Sequence, residues 1–482
     1  MKVLLINPPK SSAITERVSY VHEPHQGLAY IASYVRQHGF QVSILDAQAE
    51  QLTVDGLRAR IAVERPAIVG ITAPTFLIKS AHETAGIVKA LGRDIVTVIG
   101  GYHATALPEQ TLREFPSFDL LVHGEGEIPF LELLHAIVNK RELREIQGIA
   151  YRHNGNIMVN PQAAPITDLD TLPLPAWDLF NLDLYHPHYS FNKGFLELPI
   201  ATSRGCVSRC ITCARVTGTR VRYRSAASVV GEMQAMVERF NAKRFVFMDE
   251  TFTINGRRTH DLCDAILQSG LSKKVEWLCQ TRVDRVEPDL LKEMRQAGCF
   301  LVAYGIESGN QDILDHMKKG TRLDDAMNAV RWAKQAGMTV DTFFILGLPY
   351  ETRKTMHDTI QFAIRLDPHY ANFFIIVPYP GAEVYSMATK GEGGLRFLTD
   401  DWETYGWQMG GSAELEQVPR KRLEAQQLKA YLRFYLRPRK IRSMLNIVNI
   451  KVIPEYVYNL IRKRLSAPPT LMAQSPPATT RP

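Results

Sequence analysis

Short apolar runs alternate with amphipathic stretches of helical length twice along this 482-residue chain, and that rhythm leaves few architectures open. In residues 1 to about 145, KVLLINPP, QVSILDA, AIVGITAP, IVTVIGG and DLLVHGEGE read as five strands. Helical segments lie between them, such as GLAYIASYVRQHG, which opens after Gln26 and stops at Gly39. Strands separated by helices pair in parallel, so the expected fold is α/β, beginning with a doubly wound, flavodoxin-like sheet. Ligands of such sheets sit at the carboxyl ends of the strands. The candidate loops are therefore ITAPTF, GGYHAT and GEGE, with Thr75, Gly100, Gly101, His103, Gly124, Glu125 and Gly126. Each glycine permits either a close backbone approach to a ligand or a simple tight turn.

Residues 146–195 read as an ordered linker, a hairpin-like piece (GIAYRHNGNIMVN) followed by proline- and aspartate-rich sequence. From residue 196 the alternation returns. LELPIATSRG, RFVFMDETF, VEWLCQTRVD, FLVAYGIESG, TVDTFFILGLP and YANFFIIVPYPG predict a partial six-stranded α/β barrel over 196–410, with chemistry at its strand ends. A basic helical region is expected over 411–465 and a proline-rich disordered tail over 466–482. The net charge of +7 is concentrated there: residues 417–465 hold thirteen Lys and Arg against Glu424 and Glu455. No apolar run is long enough to span a bilayer, and MKVLLINPPK reads as a buried strand rather than a secretory signal. The expected compartment is a reducing cytoplasm, where clustered cysteines bind metal or do chemistry.

Half of the six cysteines fall in CVSRCITCA. Cys206, Cys210 and Cys213 have C-x3-C-x2-C spacing after a strand end, with no fourth cysteine or histidine nearby. A structural zinc site uses four ligands and an iron–sulfur cluster normally four thiolates. Three thiolates leave one iron of a cubane cluster open, whereas a small zinc site or inert buried cysteines remain the plainer readings. Cys263, Cys279 and Cys299 read as small buried hydrophobes.

The cysteine motif and the strand ends that follow it resemble the radical S-adenosylmethionine superfamily. The resemblance implies a 4Fe-4S cluster on Cys206, Cys210 and Cys213, whose open iron chelates S-adenosylmethionine and reductively cleaves it to a 5′-deoxyadenosyl radical. It implies cofactor contacts from Asp249 and Glu250 in MDETF, Arg282 in QTRVD, and Glu307 and Ser308 in GIESG. GLPYET (347–352) matches the adenine-side segment, and Lys319 is a weaker candidate. Singly, each charge also reads as a solvated surface residue or an ion pair. The order NPP, GLAYIASYVRQHGF, ITAPTF, GGYHAT and LVHGEGE resembles the cobalamin-binding domain of the large cobalamin-dependent class, whether methylase or anaerobic cyclase. Cobalamin is therefore an expected second cofactor. The D-x-H-x-x-G string that supplies a cobalt ligand elsewhere is missing, since His22, His25 and His103 lack its neighbours. His103 reads either as a contact to the corrin edge or as support for its own loop.

The resemblance implies a cobalamin-dependent methyl transfer to an unactivated carbon of a small-molecule or lipid substrate. Oxidative cyclisation, or a dehydratase or epimerase without methyl transfer, stands as the alternative, and a non-catalytic metal-binding protein as the contrasting class. The cofactors carry the difficult chemistry, so the catalytic side chains are unknown. VPYPG (377–381) and Tyr304 read as pocket lining or as core. The resemblance further implies an electron donor such as flavodoxin or ferredoxin. Tyr431, Phe434 and Tyr435 interleave with Arg433 and Arg437, as in a helix at an anionic inner-membrane surface or in an ordinary helical cap. No recognition fold accompanies the charge, so no nucleic acid is expected.

Overall fold

The first sheet grows from apolar strands that have no polar face to spare. In the computed structural model, which describes residues 1–10, 23–187, 194–406 and 411–447, these are β1 (Lys2–Asn7), β2 (Gln41–Asp46), β3 (Ile68–Thr72), β4 (Val96–Gly100) and β5 (Leu120–Val122). They pair in parallel in the order β2-β1-β3-β4-β5, and β1 and β3 are buried almost end to end, as strands covered on both faces must be. The covering helices are α1 (Gln26–Gln37), α2 (Val54–Glu64), α3 (Ile78–Leu91), the short α4 (Tyr102–Ala106) and α5 (Pro108–Glu114), and α6 (Glu127–Asn139). His25 caps α1 by accepting from Leu28 N, and Thr53 caps α2 by accepting from Gly56 N.

The expected boundary at residue 145 is corrected by two further strands. β6 (Ile149–His153) pairs antiparallel with β5, and β7 (Asn156–Val159) pairs antiparallel with β6, making a seven-stranded mixed sheet. Their turn is Asn154-Gly155, both at positive φ (49° and 79°), the geometry a tight hairpin requires. The hairpin belongs to the first sheet, so the linker proper begins after Val159.

The second sheet is the expected partial barrel. β8 (Leu196–Ile200) is followed by the two-residue strands β9 (Ser203–Arg204) and β10 (Arg222–Tyr223). Then come β11 (Ala242–Phe247), β12 (Glu276–Thr281), β13 (Cys299–Glu307), β14 (Thr339–Leu346) and β15 (Tyr370–Ile375). β8, β11, β12, β13, β14 and β15 run parallel in that order, with helices α7 (Ala226–Phe240), α8 (Gly256–Gln268), α9 (Pro288–Gln296), α10 (Gln311–His316), α11 (Leu323–Gln335) and α12 (Arg353–Leu366) in the crossovers. Cys263, Cys279, Cys299 and Tyr304 are all 0% exposed, so Tyr304 belongs to the core and not to a pocket.

After α13 (Glu383–Lys390) comes an antiparallel hairpin, β16 (Leu395–Phe397) with β17 (Ala413–Leu415). Between its strands, Trp402 and Tyr405 return to the first sheet and join its core, with Trp402 Nε1 donating to Glu114 at 2.7 Å. Then α14 (Arg420–Tyr435) covers the open edge of the barrel. Tyr431 OH accepts from Phe373 N (3.2 Å), Gln427 Nε2 donates to Phe373 O (2.7 Å), and Phe434 is wholly buried against the Phe373 ring. Tyr431 and Phe434 therefore pack, as in an ordinary helical cap, over a sheet edge that would otherwise expose unpaired backbone. Residues 1–434 form one compact unit; the second, from Tyr435, contains α15 (Pro438–Ile447). The expected helix and tail beyond residue 447 lie outside the described residues, as does His22.

Candidate active site

The cysteine loop is the excursion between β9 and β10, directly beyond the end of β8. Gly205 turns the chain into it at φ +98°, where a Cβ would stand 2.3 Å from the Arg220 carbonyl oxygen. Only glycine fits there. The loop is then tied down through its backbone. Cys206 N donates to Gly218 O (3.2 Å), Cys213 N to Cys210 O (3.2 Å), Ile211 N to Met317 O (3.1 Å), and Val384 N to Ile211 O (2.9 Å).

Two buried cations face the thiols. Arg282 Nη1 lies 3.9 Å from Cys210 Sγ and 3.3 Å from Ser208 Oγ; Asp284 (2.9 and 3.1 Å) and the Lys319 carbonyl (2.7 Å) fix the guanidinium. Lys319 Nζ binds Glu307 Oε1 at 2.7 Å. Gly305 leaves room for that pair, because a Cβ there would meet Glu307 Oε1 at 2.5 Å. The Cys210 thiol is pulled down, first by its hydrogen bond with Cys213 and then by Lys319 and Arg282, while Cys213 is pushed up as the partner that keeps the proton. Cys206 Sγ lies 4.0 Å from Thr251 Oγ1. Among the described residues no three His, Cys, Asp or Glu side chains already stand gathered as a metal site. The donor chemistry nevertheless suits an iron–sulfur cluster: three thiols on one pinned loop, with buried positive charge that favours thiolate.

The remaining expected contacts divide. Cys206, Cys210, Cys213, Arg282, Glu307 and Lys319 come together. Asp249 does not face them: it is 0% exposed, and its carboxylate accepts from Thr202 N (3.2 Å), Thr202 Oγ1 (2.7 Å) and Ser203 Oγ. Its burial pushes the carboxyl up, and its work here is to hold the chain that enters the cysteine loop. Ser308 is likewise 0% exposed, its hydroxyl 3.1 Å from Thr359 Oγ1 and accepting from Asn310 N (3.2 Å). Glu250 is exposed and accepts from Thr217 of the cysteine loop. In GLPYET, Glu351 accepts from Gly347 N (2.7 Å) and Leu348 N (3.1 Å), and burial pushes its carboxyl up to about 8.

The loops of the first sheet meet this region from the other side. Gly381 of VPYPG lies between two methyl groups: a Cβ on it would be 3.3 Å from Ala106 Cβ at the end of α4 and 3.6 Å from Ala214 Cβ beside Cys213. Gly101, at φ +94°, has no room for a side chain against Thr72 and Ala73. Gly124, at φ +84°, is closed by Gln162, and Gly126 by Ile31, whereas Gly100 has only ordinary contact with Val122 O. Thr75 is buried at the first position of a single helical turn. His103 is 0% exposed beneath Trp402 and Phe115, and neither ring nitrogen has a hydrogen-bond partner among the described residues. Burial lowers its pKa to about 4, so the ring is neutral at pH 7. The loops at Thr75, Gly100–Gly101 and Gly124–Gly126 would hold a corrin at these strand ends, while His103 is packed inside the protein against Trp402.

Glu125 has other work. Its carboxylate receives Arg222 through two bonds (2.6 and 3.0 Å) and the Ile166 amide (2.9 Å); Arg204 binds Glu127 at 2.6 Å and lies 3.7 Å from Glu125. Against its own burial, these arginines hold the Glu125 carboxyl below the usual range. Arg204 and Arg222 are the paired residues of β9 and β10, so the base of the cysteine loop is clamped to the first sheet. The sequence reading missed both arginines and Glu127. The available signal was six arginines without one acid in residues 201–225, set against GEGE.

A family model of the radical SAM superfamily matches residues 200–363, and one of the B12 binding domain matches residues 12–134. A protein designated an uncharacterised methyltransferase in Pyrococcus horikoshii is 36% identical over 441 residues, 91% of this chain and 93% of that protein. The anaerobic magnesium-protoporphyrin IX monomethyl ester cyclase of Rubrivivax gelatinosus is 32% identical over 393 residues, 80% of this chain and 69% of the cyclase. In fold, the chain is similar to the radical S-adenosylmethionine methyltransferase TsrM of Kitasatospora setae, with a TM-score of 0.70, 20% identity, and coverage of 89% of this chain and 88% of that one. The cysteine loop at the head of a partial barrel, the clamp to a B12-type sheet and these likenesses agree: this chain is a member of the radical S-adenosylmethionine superfamily, in the group that carries a B12-binding domain ahead of the barrel.

Proposed function

We propose that the chain is a cobalamin-dependent radical S-adenosylmethionine methyltransferase acting on an unactivated carbon of a small molecule. The observation that carries this reading is the junction at Gly381, where the first sheet's α4 and the cysteine loop approach the same turn. A methyl-donor site on the first sheet and a radical-generating site on the cysteine loop, meeting near this turn, would both reach one substrate. Cys206, Cys210 and Cys213 are the residues to hold the cluster, and the loops at Thr75, Gly100–Gly101 and Gly124–Gly126 the corrin. When bound, these groups supply one-electron cleavage of S-adenosylmethionine and methyl transfer.

The chain's own residues position and shield. Arg282 and Lys319 set positive charge beside the thiolates, and Glu307, anchored by Lys319, offers a carboxylate at the rim for an ammonium or hydroxyl of S-adenosylmethionine. Asp249 acts through Thr202 and Ser203 as a positioning residue. Cyclisation is the second reading, favoured by the similarity to the Rubrivivax gelatinosus cyclase. The test is anaerobic reconstitution with iron, sulfide and hydroxocobalamin, followed by S-adenosylmethionine labelled in its methyl group. Methyl transfer requires label on the corrin under reducing conditions; a corrin that binds and never acquires label overturns methyl transfer and leaves cyclisation.

A further inference from the structure

The six arginines of residues 201–225 do two kinds of work. Arg204, Arg222 and Arg224 are turned inward onto Glu127, Glu125 and Glu232. Arg209, Arg215 and Arg220, also of the cysteine loop, are exposed. Beside them a groove of about 580 Å³ is lined by Val207, Val221, Tyr223 and Ile254, with Arg220 on one wall and Arg285 on another. Val207, the residue after Cys206, is 54% exposed there. Among the acids near these arginines, Asp284 is engaged by Arg282 and Arg285 and Glu250 by Thr217, while Glu287 is exposed. A groove of mixed polar and apolar lining that carries Arg220 and Arg285, one residue from a cluster cysteine, suits an acidic protein surface.

We propose that this groove is the docking surface of a small acidic electron-transfer protein, a flavodoxin or ferredoxin, that reduces the centre held by Cys206, Cys210 and Cys213. The proposal rests on the reading of those cysteines as cluster ligands. One electron moves: the donor's reduced flavin or iron–sulfur centre is oxidised by one, the acceptor is reduced by one, and no bond is made or broken. Opposite charges at a rim govern encounter and lose force with salt.

The test titrates oxidised flavodoxin into the reconstituted full chain by calorimetry at low and at raised salt. It does so for the wild type, for Arg220→Glu combined with Arg285→Gln, and for the milder Arg220→Gln with Arg285→Gln. The expected result is a Kd that weakens with salt and rises about tenfold or more in the reversed variant. Dithionite-driven release of 5′-deoxyadenosine is expected to stay within about twofold of wild type, since a small reductant needs no docking surface. A wild-type Kd indifferent to salt, or both variants binding as wild type does, overturns the proposal. So does salt-sensitive capture of a short single-stranded RNA in place of flavodoxin. If the reversed variant fails to fold, the wild-type salt series and the milder variant still decide. Absence of dithionite-driven cleavage in the wild type overturns the cluster reading itself, which is a separate result.

Discussion

At Gly205 one methyl group decides whether the loop can leave β9 at all. Its φ of +98° and the Arg220 carbonyl behind it leave no place for a Cβ. Gly205→Ala is expected to cost about 3 kcal/mol or more in local strain and to lower iron bound per chain after reconstitution; retention of full iron content would contradict that account. His103 makes an opposite argument. Its ring titrates near about 4 in the folded chain against 6.5 ordinarily. The folded pKa is lowered, so the unfolded chain takes up the proton first as pH falls. Stability is full above about 6.5 and declines toward about 4, by on the order of 3 kcal/mol. His103→Leu is expected to flatten that slope in denaturation curves and to leave corrin absorption unchanged, because the ring is wholly buried. The cysteines were legible in the sequence because their spacing is local. The inward turn of Asp249 and Ser308 was not, since Thr202 and Thr359 lie far away along the chain and only tertiary pairing brings them in.

Elements were readable where hydrophobic period alone defines them. All eleven strands expected in the two alternating passes form, because a buried parallel strand must be apolar throughout. What a pattern omits is the identity of its partner. The hairpin over 149–159 carries its own turn signal, yet nothing local says that it extends the first sheet. Likewise α14 displays an apolar stripe without revealing that the stripe closes the barrel edge at β15. Phe434→Ala is expected to destabilise the chain by about 3–5 kcal/mol in chemical denaturation, as a fully buried aromatic does. A loss below about 1 kcal/mol would mean that the helix does not seal the edge.

Across the whole molecule, the two sheets are joined through charge at the base of the cysteine loop. Removing one member of such a buried pair strands the other. Glu125→Ala is therefore expected to cost about 3 kcal/mol, and the paired replacement Glu125→Leu with Arg222→Met to recover most of it. Equal losses in the two variants, read by denaturation, would contradict a clamp. No helix among the described residues is long and apolar enough to cross a membrane. The central claim is that three cysteines of one loop hold the centre that cleaves S-adenosylmethionine, with a corrin held independently by the first sheet. The most direct measurement compares anaerobically reconstituted wild type with Cys206→Ser, Cys210→Ser and Cys213→Ser for iron content, corrin absorption and dithionite-dependent 5′-deoxyadenosine. Each variant is expected to lose iron and product while keeping the corrin bands; iron and product retained in any of the three would contradict that role for the cysteines.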